Sequence, residues 1–201
     1  MKPRNEETCI DLLRHGEPVG GRRYRGQIDD ALSTTGWEQM WKAVDAAPEW
    51  QQIVSSPLRR CSAFAESLAK HLALPVQLEP RFGEVGFGAW EGKTSEELDR
   101  LDPGQVARFY RDPVNNRPPG AEPLDEFTAR VQSAFDDMIE QFTGQSILVI
   151  AHAGVIRAVL AYVLEIPVAA MYRISVPNAG ISRISTHRER GFCFESHGSS
   201  R

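Results

Sequence analysis

The sequence predicts an α/β fold built on one mostly parallel sheet, and three observations predict it. Short apolar runs around Cys9–Leu13, Gln52–Ser55 and Ser146–Ala151 read as strands, the last a β-branched stretch of the kind buried on both faces. Turn residues and then apolar positions at helical spacing follow each run. Strands that alternate with helices imply right-handed crossovers between parallel neighbours. At 201 residues, 41% hydrophobic and 25% charged, the chain is long enough for one sizeable core, and a single domain over residues 1–201 is expected.

The first strand ends at Arg14-His15-Gly16-Glu17 and gives way to a Gly- and Arg-rich loop, Pro18–Asp30, too polar for core. Ser33 or Thr34 then caps a helix whose stripe is Met40, Val44 and Ala47. After the second strand, Ser56 as N-cap and Pro57 as first helical residue predict a helix with Leu58, Cys61, Ala65, Leu68 and Leu72 on one face. Arg59 and Arg60 in its first turn oppose the macrodipole unless an anion binds there. Val76–Leu78 is a third short strand, and Arg81–Gly92 is a glycine-punctuated loop. Its Gly86 and Gly88 do not make a dinucleotide fingerprint, because Glu91 stands where the third glycine is required.

Thr94–Asp112 reads as one or two short charged helices, and the proline-rich Pro113–Pro123 as a linker. Residues 85–123 together form a cap-like insertion. Leu124–Phe142 carries Phe127, Val131, Phe135 and Met138 at threes and fours, a long amphipathic helix. The strand Ser146–Ala151 ends in His152-Ala153-Gly154, and Val155–Leu164 returns as a helix. Tyr172–Ser196 reads as two or three strands.

A net charge of −4 argues against non-specific nucleic-acid binding. The N-terminal Met1–Thr8 is polar, without the apolar core of a signal peptide, and Ile147–Leu164 is broken by His152, Gly154 and Arg157, so no membrane span is expected. Cys9, Cys61 and Cys193 are too scattered for a disulfide framework or a zinc motif. The expected location is the cytoplasm; a homodimer stays open.

In parallel sheets ligands sit at the carboxyl edge. Three strands here end there in Arg14-His15, in the Arg59-Arg60 pair just past Ser56, and in His152. Two imidazoles and several guanidiniums suit an anion, and two His among arginines would repel a divalent cation. No Gly-x-Ser-x-Gly elbow or phosphate loop of the Gly-x-x-x-x-Gly-Lys type supplies a nucleophile, which leaves His15. Adjacent positive charge would hold that imidazole neutral and its lone pair free to attack phosphorus. The proton donor for the leaving oxygen is a loop carboxylic acid, for which Glu84, Glu17 and Glu91 compete.

Four segments in order resemble the histidine phosphatase superfamily, also called phosphoglycerate mutase-like: Leu13-Arg14-His15-Gly16-Glu17, Ser55-Ser56-Pro57-Leu58-Arg59-Arg60, Phe82–Gly92 and His152-Ala153-Gly154. The resemblance implies a three-layer α/β/α fold and metal-independent catalysis without a cofactor. It makes His15 the residue that becomes phosphohistidine, Arg14 and Arg60 the phosphate ligands, Glu84 the acid and His152 the second catalytic histidine. The substrate-binding set is then Arg14, Arg60, His152 and Ala153, with Arg25 and Gly26 from the loop. The chain departs from the pattern in lacking an Asn after Gly16, in placing Arg25 before Gly26, and in having Ala153 where a glycine is usual.

The activity so implied is that of a histidine acid-type phosphatase on a small phosphorylated metabolite. The loops Arg25–Leu32 and Gly36–Met40 are most similar to α-ribazole phosphatases of cobalamin nucleotide-loop assembly. A mutase-type phosphoryl transfer and a non-catalytic phospho-ligand binder are the alternatives. The phosphoglycerate mutases that this chain resembles carry a longer insertion and tail, so the resemblance implies water as the phosphoryl acceptor.

Overall fold

The computed structural model describes residues 7–45 and 49–198. The polar start of the chain and Ala47 lie outside them. The strands are β1 (Glu7–Arg14), β2 (Gln52–Ser55), β3 (Val76–Leu78), β4 (Ser146–Ala151), β5 (Ile181–His187) and β6 (Gly191–His197). The helices are α1 (Thr34–Val44), α2 (Arg59–Leu72), α3 (Ser95–Leu101), α4 (Gln105–Arg111), α5 (Leu124–Gln141) and α6 (Ala153–Val163). Short 3-10 turns occupy Pro80–Phe82, Gly88–Trp90 and Val168–Arg173.

The six strands form one sheet in the order β3-β2-β4-β1-β5-β6. The pairs β3·β2, β2·β4 and β4·β1 are parallel, and the C-terminal hairpin β5-β6 adds an antiparallel edge to β1. Period-2 alternation divides the apolar side chains between two cores. Ile10, Leu12, Ile147 and Val149 face α5 and α6, whereas Leu13, Ile53, Leu148 and Ile150 face α1 and α2 through Met40, Cys61, Phe64 and Leu68. The result is the three-layer α/β/α arrangement. Phe87, Trp90, Leu98 and Phe109 of the insertion join the α5/α6 core.

Most predicted elements form within a residue or two of their expected bounds. Ser33 caps α1, its side chain accepting from the Gly36 N–H, and Thr94 closes a reciprocal capping box with Glu97 at the start of α3. The helix expected from Ser56 begins instead at Arg59, because the Ser56 N–H continues the sheet by donating to the Ile150 carbonyl at 3.0 Å. The apolar stripe shifts with it. Phe64 and Ala69 are buried, while Leu58 is half-buried and Leu72, at the helix end, is 40% exposed.

Candidate active site

Register places the carboxyl ends of three parallel strands side by side. Arg14 is opposite Ala151, and Ser55 opposite Ile150. The His15 N–H continues this pattern onto the Ala151 carbonyl at 3.0 Å. One residue past each strand, His15 and His152 meet with ring centroids 5.2 Å apart, edge to face.

His15 is buried, and its Nδ1 lies 2.7 Å from the Gly16 carbonyl. A carbonyl only accepts, so Nδ1 carries the proton and Nε2 keeps its lone pair. Burial first, and then the Arg14 and Arg60 guanidiniums, hold the ring well below the ordinary imidazole value of 6.5. The neutrality expected from neighbouring charge alone thus has desolvation as its larger cause. His152 is likewise held down by burial and then by Arg60. Its Nδ1 accepts from Arg60 Nε at 3.2 Å and its Nε2 donates to Ser56 Oγ at 2.7 Å, which defines the tautomer.

Arg60 is 1% exposed and enters from the first turn of α2. Besides His152 it donates to the carbonyls of Ile28 (2.7 Å) and Gly26 (3.1 Å), so the Arg-rich loop is wrapped around its guanidinium. Arg59 projects outward, and the orphan N–H of its backbone is met by the Asp29 carboxylate at 2.6 Å, which also offsets the two cations at this helix end. Arg14 donates through Nη1 to the Val176 carbonyl at 2.6 Å. Its Nε is buried and reaches no partner. Burial lowers its pKa to about 10 against the opposing influence of Glu84, and it stays charged at neutral pH.

Glu84 is 7% exposed, and its carboxylate accepts from the Val85 N–H at 2.9 Å and from the Gly154 N–H of α6 at 3.1 Å. A Cβ on Gly154 would collide with that carboxylate, so glycine is required for the approach. The other two acid candidates are placed differently. Glu91 accepts from the backbone N–H groups of Gln27, Ile28 and Phe87 and ties two loops together, and Glu17 meets its neighbours through its main chain, with Gln39 and Ser33.

Ala153 opens α6 directly after His152. Gly26 is packed so closely that a Cβ would meet Glu91 and the Val85 carbonyl. The Arg25 guanidinium is engaged inside its own loop, with Asp30 (2.7 Å) and the carbonyls of Gly21 and Val19. Sequence reasoning missed Arg130, whose guanidinium holds the Glu84 segment by the carbonyls of Arg81, Gly83 and Glu84. The available signal was a charged side chain three residues after the buried Phe127, over whose ring it lies at 4.8 Å.

The family model for the histidine phosphatase superfamily (branch 1) matches residues 10–196. Glucosyl-3-phosphoglycerate phosphatase of Mycobacterium tuberculosis is 31% identical over 199 residues, covering 92% of this chain and 88% of that protein. The bifunctional protein Rv2228c of the same organism is 34% identical over 184 residues, 89% of this chain, and the chain spans about half (50%) of that longer relative. The α-ribazole phosphatase of Shigella flexneri superposes with a TM-score of 0.81 at 25% identity, covering 96% of each chain. With the family model matching nearly the whole chain, the chain belongs to the histidine phosphatase superfamily.

Proposed function

We propose that this protein is a metal-independent phosphomonoesterase that works through a phosphohistidine. The observation that carries the reading is a buried neutral His15, its Nδ1 proton fixed on Gly16, beside the buried and unpartnered Nε of Arg14. An unmet buried cationic donor favours an anion at that point. His15 Nε2 attacks phosphorus as the ester P–O bond breaks, and Glu84, which takes up a proton beside the bound phosphate anion, gives it to the leaving alcohol. Glu84 then takes a proton from water, which attacks phosphorus and releases His15 as the P–N bond breaks.

Arg14 and Arg60 bind the phosphoryl oxygens and take up charge in the transition state. His152 completes the pocket, acting in the resting arrangement through Arg60, whose Nε it holds at 3.2 Å. Ala153, Gly26 and Arg25 shape the walls. The substrate is a small phosphorylated metabolite, with α-ribazole 5'-phosphate the first to try on loop similarity and glucosyl-3-phosphoglycerate the second on the named relative. The three cysteines are unpaired, which supports a reducing compartment such as the cytoplasm. Among the described residues no helix is long and apolar enough to cross a membrane.

The test is hydrolysis of an aryl phosphate in chelator. Turnover is expected in the wild type, with a loss of at least about 10³-fold in kcat for His15→Ala. Equal turnover in the two proteins, or turnover abolished by chelator, would sink the mechanism. Transfer to phosphoglycerate in place of release of inorganic phosphate would establish the mutase alternative. Phosphate bound equally by the two proteins, with no turnover in either, would establish the binder.

A further inference from the structure

Ser56 is fully buried just past β2 and does not cap the helix that follows it. Its backbone N–H donates to the Ile150 carbonyl, which holds it against β4, the strand that delivers His152. Every hydrogen-bonding site of its hydroxyl is then engaged. Oγ accepts from the Leu58 N–H at 3.3 Å and lies 2.7 Å from His152 Nε2. The Cys61 sulfur is hydrogen-bonded to the same hydroxyl. The thiol hydrogen of Cys61 goes to the Ala151 carbonyl at 3.5 Å, so the sulfur accepts and the hydroxyl donates. With its single hydrogen on sulfur, Oγ meets His152 as an acceptor.

The other side of the ring requires the same proton placement. Arg60 Nε can only donate, and it reaches His152 Nδ1 at 3.2 Å, so the imidazole hydrogen is on Nε2. Two independent partners thus agree on one tautomer. His152 is fully buried, so removing the hydroxyl leaves Nε2–H without its acceptor. Were the hydrogen to move to Nδ1 instead, it would face the Arg60 Nε–H, donor against donor, and that contact would be lost.

The consequence reaches the phosphoryl pocket through Arg60. Of the five guanidinium N–H groups, three are engaged, on His152 and on the Ile28 and Gly26 carbonyls. The other two serve the phosphoryl oxygens, and their direction is set by where the guanidinium plane is held. The two carbonyls belong to the Arg-rich loop, whereas His152 stands at the sheet edge, so the imidazole is the hold tied to the sheet. We propose that Ser56 is a positioning residue for phosphoryl transfer: it fixes the Nε2–H tautomer of His152 and, through that ring, the orientation in which Arg60 binds the phosphoryl group. This rests on the phosphomonoesterase reading above.

The experiment is a double-mutant cycle on aryl phosphate hydrolysis, with nitrogen NMR of histidine-labelled protein beside it. The wild type should show His152 as the Nε2–H tautomer, and Ser56→Ala should show Nδ1–H or a mixture of the two. Ser56→Ala should lower kcat/KM by about tenfold to 10²-fold in the wild type, and by less than about threefold in a His152→Ala background, where the hydroxyl has no imidazole to hold. Should Ser56→Ala fail to fold, Ser56→Cys, close in shape but a weak acceptor, carries the same comparison. An Nδ1–H tautomer in the wild type, an undiminished kcat/KM in the Ser56 variant, or an equal loss in both backgrounds overturns the proposal. The equal loss is what a serine needed only for stability would give. If the wild type turns over no aryl phosphate, the phosphatase reading fails, and the calorimetric Kd of inorganic phosphate replaces kcat/KM in the same cycle and decides the role of Ser56 on the same criterion.

Discussion

Two neutral histidines stand among guanidiniums at the residue scale, and their protonation makes them testable. Burial and the arginines hold both below 6.5 in the folded protein, with burial the larger cause. The unfolded chain therefore binds more protons once the pH falls below about 6.5, so stability that is complete above that value is lost progressively as the pH drops toward the depressed folded values. The melting temperature should fall between pH 7.5 and pH 5, and the fall should be smaller in His15→Gln. The same depression sets the activity profile. The acid limb of kcat/KM should lie below pH 6.5, and a limb at or above that value would mean that His15 is not the group held neutral by this pocket.

At the element scale, helix α6 carries His152 just before its first residue and gives the Gly154 N–H to Glu84. That amide is one of the unpaired donors of a helix start, and the macrodipole favours a carboxylate there. Gly154→Ala should leave the fold intact by circular dichroism and lower kcat by about 10²-fold, because its Cβ displaces the Glu84 carboxylate. A kcat within twofold of wild type would show that Glu84 does not need this seat. Helix α5 acts on the same group from the other side, through Arg130 on the carbonyls of residues 81, 83 and 84. Glu84 is thus placed by two helices distant in sequence.

For the whole molecule, the antiparallel edge is fastened to the parallel sheet by a charged link. Asp11 of β1, 3% exposed, accepts from Arg183 Nε and Nη2 of β5 at 2.8 Å each and from Trp50 Nε1 at 2.9 Å. Register puts Asp11 and Arg183 directly opposite. Removing the cation strands a buried carboxylate, so Arg183→Met should cost about 3 kcal/mol in urea unfolding. A cost below about 0.5 kcal/mol would put the link among surface pairs that contribute little.

The pattern of strand, loop and helix, the parallel core of the sheet and the meeting of His15, Arg60 and His152 at its edge were legible in the chain alone. Period and turn chemistry are local, and parallel topology then brings strand ends together without further information. Tertiary structure decided what depends on partners far apart in sequence. It gave Arg25 to Asp30 and its own loop, gave Glu91 to loop amides, and seated Glu84 on Gly154, 70 residues away. It also left the Arg14 Nε unmet. A sequence names donors and acceptors, but only packing determines which of them find one another and which stay unmet.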